Sequence, residues 1–219
     1  MEPSGTGRVE RRLAAILAAD VAGYSRLIEA DEEGTLTRLK ALRGGLIDPK
    51  IALHKGRLVK TTGDGLLVEF ASVVDAVRCA AEVQTALAES NAPLPPDRRI
   101  DFRIGIHQGD IVVEDGDIFG DGVNVAARLE ALAEPAGICV STRVREDTAG
   151  KLDLAFEDLG EQALKNITRP IRVYRIAVER KPMSEPALSL PDKPSLAVLP
   201  FQNLSGDPEQ EYFVDGVVE

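Results

Sequence analysis

Two carboxylates stand where they could do chemistry. Asp20 closes the apolar run "LAAILAAD", and Asp64 lies in "GDG" between the strand-like runs "GRLVKTT" and "LLVEF". If those strands are neighbours, the two acids meet at one end of a sheet. A carboxylate pair with little other ligand chemistry suits Mg²⁺, which keeps several waters and takes phosphate oxygens as its remaining ligands. Plainer uses exist for both: Asp-Gly is a common hairpin dipeptide, and Asp20 could cap a helix.

The stretch "DIFGDGVNVAAR" adds a second set. Asn124 and Arg128 are four residues apart on a predicted helix and so project from one face. A guanidinium there could stabilise charge growing on a phosphoryl group, and an amide could hold a sugar or phosphate oxygen. A solvated surface pair is the alternative. Arg103 in "FRIGIHQG" could face a triphosphate or pair with Asp101 or Asp110, and Lys165 in "ALKNITRP" could reach a terminal phosphate or be an ordinary exposed lysine. No Gly-x-x-x-x-Gly-Lys is present, which excludes a P-loop. The two histidines, His54 and His107, form no spaced ligand pair for zinc.

The elements that must position these groups follow from periodicity. Leu13 to Asp20 reads as a buried strand, with a short alanine-rich helix as competitor. A helical tract runs from Tyr24 to Ala52, with breaks expected near Asp31 and Pro49. The "GDG" between "GRLVKTT" and "LLVEF" signals a hairpin. Ser72 and Asp75 resemble a capping box, and Ala76, Cys79, Ala80, Val83 and Leu87 then repeat at helical spacing up to "NAPLPPD". "IDFRIGIHQGDIVVED" reads as a strand, a glycine-containing bend and a second strand. Val123 to Ala133 reads as a helix with Val125, Leu129 and Leu132 as its buried stripe, and "GICVS" and "IRVYRIAV" close the strand list. Strands alternating with helices and adjacent hairpins predict an α+β fold, helices packed on a mostly antiparallel sheet.

Composition narrows the class. With 219 residues, 44% hydrophobic and 28% charged, the chain has the make-up of a globular protein rather than a disordered one. A net charge of -10 argues against a general nucleic-acid or anionic-membrane surface, while leaving a small phosphorylated ligand open. Cys79 and Cys139 sit in apolar runs, which fits core thiols in a reducing compartment. "RRLAAILAADVAG" imitates a secretory signal, but Asp20 interrupts its apolar stretch, so a cytoplasmic location is expected. Residues 1–10 are expected to be a flexible N-terminus, 11–178 the main domain and 179–194, with four prolines, a linker. Residues 195–219 are expected to be a truncated second module or a docked tail.

In order along the chain, "ILAADVAGYS", "KTTGDGLLVEF", "RIGIHQGD", "DIFGDGVNVAARLE" and "ALKNITRPIRVYRI" resemble the catalytic domain of class III adenylate and guanylate cyclases. The resemblance implies a ferredoxin-like βαββαβ palm core and a head-to-tail homodimer with two interfacial sites. It places the metal aspartates at Asp20 and Asp64, for two Mg²⁺ with Mn²⁺ as an alternative. Lys60 and Asp117 fall on the adenine-reading pair, Asn124 on the ribose-orienting residue and Arg128 on the transition-state arginine. Arg103 and Lys165 fall on the triphosphate contacts, although many relatives have glycine where this chain has Asn166. One subunit would give the aspartates and Arg103, the other Lys60, Asp117, Asn124 and Arg128.

The implied substrate is ATP and the implied product cyclic AMP. Lys60 can only donate a hydrogen bond, which suits adenine N1, and an ionised Asp117 can only accept, which suits the N6 amine. Guanine presents the opposite pattern, so a guanylate cyclase would be expected to carry other residues there. A diguanylate cyclase shares a palm-like core, but its Gly-Gly-Asp/Glu-Glu-Phe turn is absent. A catalytically silent dimerisation or nucleotide-sensing module would be expected to have lost at least one of these eight residues. The tail "KPSLAVLPFQNLSGDPEQEYFVDG" resembles the start of a further α/β module that follows cyclase domains in some bacterial signalling proteins, which suggests a regulatory part C-terminal to this chain.

Overall fold

The structure, a computed structural model, describes residues 10–177. The expected linker and tail, 179–219, and all but the last residue of the expected flexible N-terminus lie outside that range. Glu10, the last of those ten, already belongs to a strand.

The described chain runs β1 (Glu10–Val21), α1 (Tyr24–Ala30), α2 (Glu32–Leu42), a π turn (Arg43–Ile47), α3 (Asp48–Leu53), β2 (Arg57–Thr62), β3 (Gly65–Phe70), α4 (Val73–Asn91) and β4 (Phe102–Glu114). It continues with β5 (Asp117–Phe119), α5 (Asp121–Leu132), β6 (Ile138–Ser141), α6 (Thr142–Thr148), β7 (Ala155–Gln162) and β8 (Ile171–Ala177). The sheet order is β2-β3-β1-β4-β6-β8-β7, with β5 paired to β4 outside that path. Its first four strands are all antiparallel and in ferredoxin-like order, as the resemblance implies. Only β4 and β6 run parallel. Among the described residues no helix is long and apolar enough to cross a membrane.

Helices cover both faces of β1, which is why Ala14 to Ala19 form an unbroken buried run rather than an alternating one. On one face Leu17, Val68, Ile104 and Ile106 meet the α4 residues Ala76, Val77, Ala80, Val83 and Leu87. Ser72 caps α4 by accepting from the Asp75 N–H at 3.3 Å. On the other face Ala14, Ile16, Ala18 and Leu67 meet Ala126 of α5. Burying each large aliphatic side chain contributes about 1.5–3 kcal/mol, so the two-sided packing fixes where β1 ends and therefore where Asp20 sits.

Several expectations need correction. The expected glycine bend is absent: β4 is one strand, and Gly109 keeps its ladder partner Ala14. The glycines serve the helix instead. A Cβ on Gly105 would lie 2.1 Å from the Glu130 nitrogen and 2.3 Å from the Ala126 oxygen, and Gly109 packs on Gly122, so α5 lies closer to the sheet than any side chain permits. Leu132 is exposed at 41%, because it ends the helix and Ala133, in extended backbone, takes the buried place beside Cys139 and Val173. Leu13 is 49% exposed, so the buried run starts at Ala14. The helical tract breaks at Asp31 as expected, where the aspartate accepts from the Gly34 N–H. Pro49 falls in the first turn of α3, and the second break is the π turn that runs into it. Strands β5 and β7 and helix α6 were not anticipated.

Candidate active site

The register Ala19↔Leu66 brings the β2–β3 turn beside the end of β1, so Asp64 lies next to Asp20 and Val21. Asp20 pairs across the ladder with Arg103, which puts their side chains on the same face. The Arg103 guanidinium grips both Asp20 oxygens, Nε to Oδ1 at 2.9 Å and Nη2 to Oδ2 at 2.5 Å. Asp101 and Asp110, the partners considered from sequence, are not used; Asp101 instead accepts from the Asn91 amide at 3.0 Å.

Burial raises the Asp64 carboxyl above its ordinary range, and the Asp20 charge raises it further. Hydrogen bonds from the backbone N–H groups of Asp64 and Val21, with the Arg103 charge, oppose that shift. Two carboxylates that repel each other at a partly buried sheet end are a set of hard oxygen donors that a divalent cation would relieve. They fit Mg²⁺ or Mn²⁺ on that ground.

A third acid joins them. Glu130 of α5 places Oε1 3.5 Å from Arg103 Nη2, and that oxygen is buried without a hydrogen-bond partner. Burial pushes the Glu130 carboxyl up to about 8, the neighbouring Asp20 pushes the same way, and Arg103 opposes both. Sequence reasoning missed Glu130. Its signal was Gly105, whose missing side chain lets α5 bring Glu130 against the strand.

At the β2 edge Lys60 Nζ donates to Asp117 Oδ2 at 2.7 Å and lies 5.4 Å from the Phe119 ring centre. The Lys60 hydrogen bond lowers the Asp117 carboxyl, with burial opposing. On α5, Arg128 Nε donates to the Lys165 carbonyl at 3.3 Å, while the Asn124 side chain is exposed. Asn166 takes φ 65, the left-handed backbone that glycine or asparagine adopts most readily, so the departure at this position is conformationally conservative.

The eight predicted residues thus form three groups: Asp20, Asp64 and Arg103; Lys60 with Asp117; and Arg128 with Lys165, Asn124 standing one turn before Arg128. Among the described residues no hydrogen bond or ion pair joins the first group to the second.

The pattern of the family described as "Adenylate and Guanylate cyclase catalytic domain" matches residues 10–177. Over 217 residues the chain is 52% identical to a Rhizobium meliloti protein named "Putative adenylate cyclase 3". That match covers 96% of this chain, and the chain spans only 37% of the relative's length. The crystal structure of an adenylate/guanylate cyclase/hydrolase from Silicibacter pomeroyi superposes with a TM-score of 0.74 at 56% identity, covering 77% of this chain and 98% of that one. A guanylyl cyclase structure at 23% identity has a TM-score of 0.67, covers 82% of this chain and 98% of its own, and speaks for the fold alone.

Proposed function

The chain belongs to the adenylate and guanylate cyclase catalytic domain family, and from that premise we propose that it is an adenylate cyclase, converting ATP to cyclic AMP and pyrophosphate. The observation that carries this reading is the hairpin turn that brings Asp64 to the sheet end held by Asp20 and Arg103. Asp20 and Asp64 would hold divalent metal, which supplies Lewis acidity toward the ribose hydroxyl and the triphosphate.

The remaining work falls to the protein's own groups. Asn124 orients the ribose so that its 3′-hydroxyl lies in line with the α-phosphorus and the departing pyrophosphate. Arg128 meets the charge that develops at phosphorus, and Arg103 and Lys165 hold the triphosphate. Lys60 donates to adenine N1 and Asp117 accepts from the N6 amine. Their 2.7 Å contact keeps one donor and one acceptor side by side, the polarity that adenine presents at N1 and N6 and that guanine reverses, which supports ATP over GTP. Each mismatched contact with guanine costs about 1–3 kcal/mol.

The site is assembled between two copies of the chain, as the resemblance implies, one giving Asp20, Asp64 and Arg103 and the other Lys60, Asp117, Asn124 and Arg128. The test is product formation by purified protein with Mg²⁺ or Mn²⁺. Cyclic AMP from ATP, far less cyclic GMP from GTP, and neither from Asp64→Ala is the expected result. Product from both proteins, or from neither, overturns the assignment.

A further inference from the structure

The ribbon that carries Asp117 is short. β4 and β5 share three register pairs, Val112↔Phe119, Val113↔Ile118 and Glu114↔Asp117, joined by Asp115 and Gly116 with φ 50 and 82. Positive φ at both turn positions is what a type I′ two-residue hairpin requires. Among the described strands β5 pairs only with β4, and no ladder joins it to β2. Strand pairing alone therefore leaves Asp117 unfixed relative to Lys60.

A side chain closes the gap. Arg57, at the start of β2, donates Nη1 to the Gly116 carbonyl at 2.7 Å. Its Nε and Nη2 hold Glu69 Oε2 at 3.1 Å and 2.6 Å. Glu69 is 4% exposed, and its other oxygen takes Arg12 Nη2 at 2.5 Å. A carboxylate this buried needs a cation, and Arg12 already supplies one. Arg57 does something more: its planar fork is anchored on Glu69 while its free arm pins the residue just before Asp117. A lysine, a single point charge, cannot span both acceptors.

We propose that Arg57, anchored by Glu69, is a positioning residue for base selection, holding the β4–β5 turn so that the Asp117 carboxylate stands against Lys60. The inference rests on the reading that Lys60 and Asp117 meet the purine. It predicts a loss of discrimination rather than a loss of fold.

The test compares kcat/KM for ATP and for GTP in the parent, Arg57→Gln, Arg57→Lys and Asp117→Ala, with melting temperatures alongside. Arg57→Gln is expected to lower kcat/KM for ATP about tenfold, mainly through KM, and to narrow the ATP-to-GTP ratio by a similar factor. Arg57→Lys, which keeps the charge and can still pair with Glu69, is expected to narrow the ratio too. It supplies the answer if Arg57→Gln folds poorly. An unchanged ratio in folded Arg57→Lys or Arg57→Gln, with a narrowed one in Asp117→Ala, overturns this inference alone. A ratio unmoved in Asp117→Ala, or a parent without product, overturns the base-reading assignment and this inference with it.

Discussion

Arg103 lies across both carboxylate oxygens of Asp20, at 2.9 Å and 2.5 Å, and so occupies the side chain assigned here to a metal cation. A guanidinium and a divalent ion compete for the same two oxygens. On the proposed metal role of Asp20, Arg103 is an internal counter-ion that competes with cation binding, and Glu130, 3.5 Å away, is a carboxylate within reach of it. A partly exposed pair of this kind is worth about 1 kcal/mol. Removing it with Arg103→Gln is expected to tighten Mn²⁺ binding without nucleotide about fivefold while weakening ATP binding. Paramagnetic titration of Mn²⁺ reads the first effect, and weaker Mn²⁺ binding in the variant would contradict the competition.

Gly105 sets the distance between α5 and the sheet. A methyl group there would overlap backbone atoms of Glu130 and Ala126 rather than a flexible side-chain end, so the helix itself must shift. Gly105→Ala is expected to cost about 1–3 kcal/mol and to move Asn124, Arg128 and Glu130 together. A lower melting temperature with turnover falling further than KM rises is the expected pattern. Full turnover at the parent's melting temperature would show that the close approach is not needed.

These examples show why part of the site was legible in the sequence and part was not. Asp64 was readable because the Asp-Gly in "GDG" between two strand-like runs signals a hairpin with Lys60 on the adjoining strand. The turn itself falls on Gly63, at φ 66, and Asp64, with Gly65 opening β3 opposite Thr62. Asp117 carried the same Asp-Gly signal two residues earlier, in "EDGD", yet β5 went unread because three residues give no period. β7 was missed because "AFEDLGEQ" shows no apolar alternation and lies at the sheet edge next to β8 alone. The sequence alone reads the continuous β4 as two strands because its glycines signal bends in isolation, and only the helix lying on them explains why they are there. Glu130 depends on tertiary packing throughout.

His107 gives the fold an acid limit. It faces Ser141 Oγ at 2.8 Å, and burial lowers it from 6.5 to about 4, with Arg143 adding to the shift and Asp121 opposing it. The unfolded chain takes the proton near pH 6.5 and the folded chain only near 4, so stability from this group is complete above 6.5. It is lost as pH falls from about 6.5 to 4, by at most about 3 kcal/mol. Urea midpoints for the parent and His107→Asn across pH 7 to 4 should converge toward the acid end. Parallel curves would mean that His107 titrates normally in the folded state.

The proposed division of site residues between two copies predicts a specific arithmetic. Arg128→Ala alone should lower turnover on the order of a hundred- to a thousand-fold, the loss expected for one preorganised charge at phosphorus. Asp64→Ala alone should abolish it. In a mixed dimer of the two variants, one site pairs both damaged halves, and the other pairs the intact Asp64 of one subunit with the intact Arg128 of its partner. Random mixing makes half the dimers mixed with one good site of two, so about a quarter of parent turnover should return. A site contained within one chain returns nothing, because every chain in the mixture is damaged. Co-expression of the two variants under different affinity tags, followed by a cyclic AMP assay of the doubly purified dimer, separates these outcomes: about half the parent's turnover for shared sites, and only background for self-contained ones.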